Sequence, residues 1–329
     1  MSTLVTGGLG FVGRKIVEAL LARGESVNVL SLPIADDSFE LNQKCNITLG
    51  DIRDPLAVRK AMKGCTKIYH LAAYARNWAS NPETFFEINV RGTETILRAA
   101  FETGVEKIVY TSSNLALGPS NGVGVTESHP RTTDFFTEYE RSKFIAENLV
   151  RSYARDGLDI VIVNPTRIFG PGPLDESNSV TKMILWYLQG KWRLILGDGD
   201  AVGNYVFVDD IVQGHLLAMK FGKSGENYIL GGENASFNDF FAKLSAIADR
   251  HFHLLHLPAT IALLFSKFEK ARAGVFHHYP LITPGWAKTF LANWENSCAK
   301  AEQELGYMPT PLGAGLEKTI RWLQTVALS

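Results

Sequence analysis

Near its start the chain runs Thr3-Leu4-Val5-Thr6 straight into Gly7-Gly8-Leu9-Gly10-Phe11-Val12-Gly13, and then into a segment in which Ile16, Val17, Leu20 and Leu21 recur at helical spacing. Apolar strand, glycine turn and helix in immediate succession leave few folds open. Gly8 to Gly13 satisfy G-x-G-x-x-G, and Gly7, Gly10 and Gly13 form an overlapping G-x-x-G-x-x-G. A turn this tight needs residues without a Cβ, and a pyrophosphate can approach such a backbone and meet the free N–H groups of the helix that follows. Taken alone the motif also fits plain turn glycines. Between a strand and a helix it predicts a dinucleotide site at Gly7, Gly10, Phe11, Val12 and Gly13.

The alternation continues. Strand patterns at 27–30, 46–51, 67–73, 106–113 and 159–172 are separated by helical patterns at 55–62, 82–103 and the stretch beginning near 137. The strands are almost wholly apolar, as parallel strands covered on both faces must be. This predicts an α/β fold: a Rossmann-type doubly wound parallel sheet with a smaller, mainly helical substrate domain. Residues 1–170 form the dinucleotide-binding domain, to which 204–232 return, and 171–203 with 233–329 form most of the substrate domain. The apolar run 257–265 is too short to span a bilayer and is expected as a buried helix of the smaller domain.

Composition narrows the function. With 33 basic against 34 acidic residues in 329, and no long basic run, there is no electrostatic reason to expect a nucleic-acid partner. Cys45, Cys65 and Cys298 are odd in number and far apart, so neither a disulfide framework nor a zinc site is implied. His251, His253 and His256 lack a nearby cysteine or acidic pair, and no metal is expected. The N-terminus lacks the basic start and unbroken apolar core of a signal peptide. A reducing, cytoplasmic setting without a transmembrane segment is the expectation.

A site for NAD normally carries an acid at the end of the second strand to accept ribose hydroxyls. Here Val27-Asn28-Val29-Leu30 runs into Ser31 and Leu32, and acids follow only at Asp36 and Asp37. Ser31 could donate to a 2′-phosphate, so NADP is favoured over NAD. Asp51, next to Ile52 at the end of the third strand, is placed for the adenine amine, with a loop-capping role as the alternative.

Tyr139 and Lys143 stand four residues apart, on one helical face, 26 residues after Ser113. That spacing alone is common. Together with TGGLGFVG, GDIRD, HLAA, NVRGT, VYTSS, NPTRIFGPG and VFVDD, in order along almost the whole chain, it resembles the extended short-chain dehydrogenase/reductase family. That family includes NAD-dependent sugar epimerases and dehydratases, 3-beta-hydroxysteroid dehydrogenases and dihydroflavonol reductases. The resemblance implies an NAD(P)-dependent oxidoreductase with a catalytic site at Ser113, Tyr139 and Lys143, supported by Asn89. Tyr139 would give the proton and Ser113, or less favourably Ser112, would polarise the carbonyl. Lys143 would lower the tyrosine pKa and bond the nicotinamide ribose. The resemblance also places Leu71, Ala72 and Ala73 against the dinucleotide, and Asn164, Pro165, Thr166 and Arg167 at its nicotinamide end. His70 is expected to be structural.

On the substrate side, sugar-nucleotide enzymes of this family carry an arginine that meets the substrate diphosphate, and Gly203 stands in its place. With Phe265, Phe268, Phe276, Trp286 and Phe290 nearby in sequence, this favours a less charged small molecule such as a ketone, aldehyde or alcohol. The stretches NPTRIFGPG, GHLLAM and YILGGEN resemble hopanoid-associated sugar epimerases, so a sugar epimerase or dehydratase is the alternative. Arg76, Asn77, Trp78, Asn178 and Lys182 are the substrate-pocket candidates, with Arg193 behind them. The resemblance also implies a homodimer built on the helix starting near Pro82 and the helix of Tyr139, with Phe85, Phe86, Phe101, Phe144 and Leu149 available for packing. Glu140, Arg141 and Ser142 are expected at the helix surface or in packing.

Overall fold

The computed structural model describes residues 2–33, 45–276 and 278–327, so Asp36 and Asp37 lie outside the described residues. The first half alternates as its apolar runs predict: β1 (Ser2–Thr6), α1 (Phe11–Ala22), β2 (Ser26–Ser31), β3 (Asn46–Leu49), α2 (Pro55–Met62) and β4 (Cys65–His70). Local chemistry sets the boundaries. Asp54 caps α2 by accepting from the Leu56 N–H, with Pro55 in the first turn where its missing N–H costs nothing.

The helix expected over 82–103 is in three pieces: α3 (Glu83–Phe86), a π-helical stretch (Glu87–Gly92) and α4 (Thr93–Thr103), which Gly104 ends in the left-handed region. Next come β5 (Lys107–Thr111), α5 (Glu138–Arg155) and β6 (Ile160–Pro165). The remainder is β7 (Arg167–Phe169), α6 (Ser179–Leu188), β8 (Leu194–Leu196), β9 (Val202–Phe207), α7 (Val208–Phe221), β10 (Asn227–Leu230), β11 (Glu233–Ser236) and α8 (Phe237–Ala248). It closes with β12 (Leu255–Leu257), α9 (Ala259–Phe276), α10 (Pro284–Leu291), α11 (Ala299–Leu305) and α12 (Leu312–Val326).

Seven parallel strands form the main sheet in the order β10-β6-β5-β4-β1-β2-β3. From β1 the chain winds outward through β2 and β3, then restarts beside β1 with β4 and winds the other way. That reversal opens a crevice beyond the carboxyl ends of β1 and β4, where ligands of such sheets bind. Alternate residues feed the two faces: Val5, Val109 and Val161 pack with Ile16 and Val17 of α1, and Leu4, Ile68, Ile108 and Ile162 pack with residues such as Ile96 and Val150 of α4 and α5. Each such fully buried side chain stabilises the fold by roughly 1.5–3 kcal/mol.

Two features depart from the sequence pattern. The apolar run 159–172 is two strands: the chain leaves the main sheet at Thr166, whose hydroxyl donates to Asn204 Oδ1 at 2.8 Å, and β7 then pairs with β9 in a separate three-stranded sheet, β11-β9-β7. This turn brings Arg167 to the second sheet. Nor is α9 the buried helix its apolarity suggests. It buries only the small or polar stripe Ala262, Ser266, Glu269 and Ala273, leaving Ile261, Leu264, Phe265 and Phe268 exposed. No helix among the described residues is long and apolar enough to cross a membrane.

Candidate active site

The glycine turn closes on itself, with the Gly10 N–H donating to Gly7 O at 2.9 Å. Gly7 has φ +68°, and a Cβ there would lie 2.9 Å from the backbone nitrogen of Ala72. A Cβ on Gly13 would run into the carbonyl of Gly7. Space is therefore reserved on both sides of the turn. Gly10 offers no side chain to cap α1, so the first N–H groups of that helix have no side-chain cap and are open to an anion. A cleft of about 510 Å³ starts here. Phe11, Val12, Ser31, Asp51, Ile52 and Leu71 line one end, and Ala72, Ala73, Pro165 and Thr166 continue the wall. These residues fit an extended dinucleotide. Asp51 is gripped by Arg53, with Oδ2 to Nη2 at 2.6 Å and Oδ1 to Nε at 3.0 Å, which holds its carboxyl below the usual range.

The wall is pinned from behind by a buried chain of hydrogen bonds. Thr6 Oγ1 meets His70 Nδ1 at 2.6 Å, His70 Nε2 meets Thr93 Oγ1 at 3.0 Å, and Thr93 Oγ1 donates to Asn89 O at 2.7 Å. Both ring nitrogens of His70 are used, and burial draws it down to about 3, so it stays neutral and structural. Asn89, in the π-helical stretch, accepts from the Tyr74 N–H at 2.7 Å and donates to Ser142 Oγ at 2.9 Å. It acts as a tether between the HLAA segment and α5.

Ser113, Tyr139 and Lys143 line the same cleft, with the Ser113 hydroxyl bonded to the Tyr139 phenol. Thr137 caps α5 by accepting from the Glu140 N–H at 3.2 Å, which starts the helix at Glu138, one residue before Tyr139. Lys143, one turn on, donates to Thr111 O at 2.7 Å and lies 4.9 Å over the Tyr110 ring. Burial pushes the Tyr139 phenol up to about 12, with the Ser113 hydroxyl acting downward. Burial also draws the Lys143 ammonium down to about 7, against the pull of Glu147. Burial thus acts against charge on both groups, raising the phenol and lowering the ammonium. Ser112 is buried with its hydroxyl unpartnered, while Ser113 faces Tyr139.

Other expected site residues are placed differently. Asn164 does not line the cleft. It is fully buried, donating to Glu147 Oε2 at 2.9 Å and to Ser113 O at 3.1 Å, and so fixes the strand end that carries Ser113. Of the substrate candidates only Asn77 lines the cleft. Arg76 sits against Glu176 at 3.8 Å, and Trp78 packs edge-on to Tyr279. Asn178 is buried and donates to Gly170 O, and Lys182 lies over Trp186. Arg193 stacks on Phe252 beside a separate depression of about 660 Å³ that contains none of the catalytic candidates.

The substrate end is lined instead by Tyr74, Arg167, Glu176, Trp286, Phe290 and Trp294. Trp286 and Phe290 belong to the aromatic set noted in the sequence, one helical turn apart on α10; Phe265, Phe268 and Phe276 point to solvent from α9. Glu140 is fully buried, while Arg141 is exposed. Glu140 pairs with Arg131 at 2.7 Å, and its carboxylate also accepts from the Phe136 N–H and the Thr289 hydroxyl. Arg131 in turn donates to Leu115 O at 2.7 Å. The pair ties the start of α5 to the loop after β5 and to α10.

A doubly wound parallel sheet with a glycine turn, a dinucleotide-shaped cleft and a Ser-Tyr-Lys cluster at its end is the architecture of a nicotinamide-dependent enzyme. The model of the NAD dependent epimerase/dehydratase family matches residues 3–231, and the chain belongs to that family, within the extended short-chain dehydrogenase/reductases. It is 30% identical to sterol demethylase protein B of Methylococcus capsulatus, over 98% of each chain. It is 29% identical to the decarboxylating sterol-4-alpha-carboxylate 3-dehydrogenase of Bos taurus, covering 96% of this chain and 91% of the relative. The solved UDP-glucose 4-epimerase of Thermus thermophilus, in complex with NAD, superposes with TM-score 0.80 at 25% identity, over 99% of this chain and 100% of that one.

Proposed function

We propose that the protein is a reductase or dehydrogenase that moves a hydride between a nicotinamide dinucleotide and a small carbonyl or secondary alcohol, with Tyr139 as the proton donor and acceptor. The observation that carries this reading is that Ser113, Tyr139 and Lys143 line the same cleft as the glycine turn. The turn and the N-terminus of α1 would hold the pyrophosphate, Asp51 and Ile52 the adenine, and Leu71, Ala72, Ala73, Pro165 and Thr166 the nicotinamide side. When bound, the dinucleotide supplies or accepts the hydride.

Reduction builds negative charge on the substrate oxygen. Ser113 donates a hydrogen bond to that oxygen, and Tyr139 transfers its proton to it, leaving a phenolate that solvent reprotonates. A phenol held near 12 is fully protonated at neutral pH, yet it is a far stronger acid than the alcohol being formed, so the transfer runs downhill. In the reverse direction the phenolate must accept the proton, and its population grows with pH. Alcohol oxidation is therefore expected to climb between pH 7 and 10 with kcat for reduction showing no such rise. Profiles of kcat in both directions check this; a flat oxidation profile would contradict it.

The substrate is proposed to be apolar in body and not a diphosphate sugar. Trp286 and Phe290 in the cleft support this, as do relatives named for sterols. The alternative is oxidation and re-reduction at one carbon of a nucleotide sugar, which would use the same three residues. Following cofactor absorbance against panels of ketones, aldehydes and nucleotide sugars separates the two. Net consumption with a carbonyl supports the reductase; inversion of a nucleotide sugar without net consumption removes it.

For the cofactor we favour NADP, since β2 ends in Ser31 and Leu32 with no carboxylate at either position. Titrations are expected to give a lower Kd for NADPH than for NADH. Clearly tighter NADH binding would overturn the preference. A homodimer through α4 and α5 is supported by exposed Phe101, Phe144 and Ile145 on these adjacent helices, whereas Phe85 belongs to the interior.

A further inference from the structure

Arg167 is the first residue of β7, carried to the substrate end of the cleft by the break at Thr166. Its guanidinium lies among three rings, 5.5 Å from the centre of Tyr205, 5.2 Å from Phe237 and 6.0 Å from Phe290. Nη1 donates to the Tyr205 hydroxyl at 3.2 Å, and Nη2 is buried without a partner. The buried guanidinium of Arg131 nearby meets the carboxylate of Glu140; Arg167 forms no ion pair among the described residues.

The glycine at 203 belongs to the same arrangement. A Cβ there would lie 2.7 Å from Cζ of Arg167, so the bare backbone of β9 makes the room in which the guanidinium sits. Gly203 thus does not leave this end of the cleft without positive charge: a cation reaches it from the neighbouring strand. Aromatic faces offset part of the cost of holding a partly desolvated cation, but they satisfy none of its in-plane N–H donors. An oxyanion meets those donors, and does so better than a neutral oxygen, because it adds the attraction of opposite charge to the hydrogen bond.

We propose that Arg167 is a specificity-determining residue that binds an oxyanion, carboxylate or phosphate, carried on the otherwise apolar substrate. The proposal rests on the cleft being the substrate site, and its test separates the two ideas. Benzoate, phenyl phosphate and neutral benzamide are titrated into the cofactor-saturated protein while the emission of Trp286 and Trp294 in the cleft is followed. The wild type is expected to bind at least one of the anions roughly 10- to 100-fold more tightly than benzamide. Whichever anion is preferred identifies the oxyanion.

Arg167→Gln is expected to erase that preference, and Arg167→Lys, which keeps the charge but not the planar fork, to keep part of it. In parallel, turnover of 4-acetylbenzoate is compared with that of its methyl ester. If neither ketone reacts but Arg167→Gln abolishes anion preference, the oxyanion site stands and the reductase reading is what fails. Equal binding of anions and benzamide by the wild type, or an anion preference that survives in a folded Arg167→Gln protein, overturns the assignment.

Discussion

Tyr139→Phe is expected to lower kcat by about 10²- to 10⁴-fold, the range that a positioned acid contributes, with Kd for the cofactor close to that of the wild type. The ring that packs in the cleft remains; only the hydroxyl next to Ser113 goes. Lys143 keeps its bond to Thr111 O, so the part of the cleft proposed to hold the ribose is undisturbed. Single-turnover kinetics together with cofactor titration make the check. Full activity in a correctly folded Tyr139→Phe protein would remove Tyr139 as the acid.

The second large effect concerns stability. Glu140→Gln leaves the Arg131 guanidinium buried without its counter-charge and is expected to cost about 3–5 kcal/mol in a urea unfolding experiment. The loss should come with a weakened substrate end, because Glu140 also holds Thr289 of α10. Replacing both members, as in Arg131→Met with Glu140→Leu, is expected to recover much of the stability, since no charge is then left buried. A loss under about 1 kcal/mol in the single variant would mean that the pair behaves as an exposed ion pair does.

The parts of this molecule legible in the sequence are those governed by local rules. Leu4, Val5, Ile108, Val109, Ile160 and Val161 announce strands buried on both faces, and Gly7, Gly10 and Gly13 announce a turn that a Cβ would block. Tyr139 and Lys143 could be singled out because helical geometry puts i and i+4 together, and because Ser113 ends an adjacent apolar strand. What was not legible depends on tertiary pairing. Nothing in the apolar run 159–172 says that it changes sheets at Thr166, because that follows from a bond to Asn204, 38 residues away.

Asn164, Asn178 and Glu140 are polar residues in polar motifs, and sequence alone does not separate a residue facing a ligand from one satisfying buried backbone or a buried arginine. The apolarity of α9 suggested a core helix, but only the stripe of Ala262, Ser266, Glu269 and Ala273 is packed. Arg167 could be noticed in its motif, yet its connection with Gly203 exists only once β7 and β9 lie side by side.

The central claim is net hydride transfer to a carbonyl in this cleft. It is tested most directly by mass spectrometry of the product formed from reduced dinucleotide deuterated on the transferring face at C4. The expected result is one deuterium on the carbinol carbon for each cofactor oxidised, with the rate of that incorporation in Tyr139→Phe lowered by the same roughly 10²- to 10⁴-fold. A nucleotide sugar inverted with no net oxidation of the cofactor, and no carbonyl compound labelled, would contradict it.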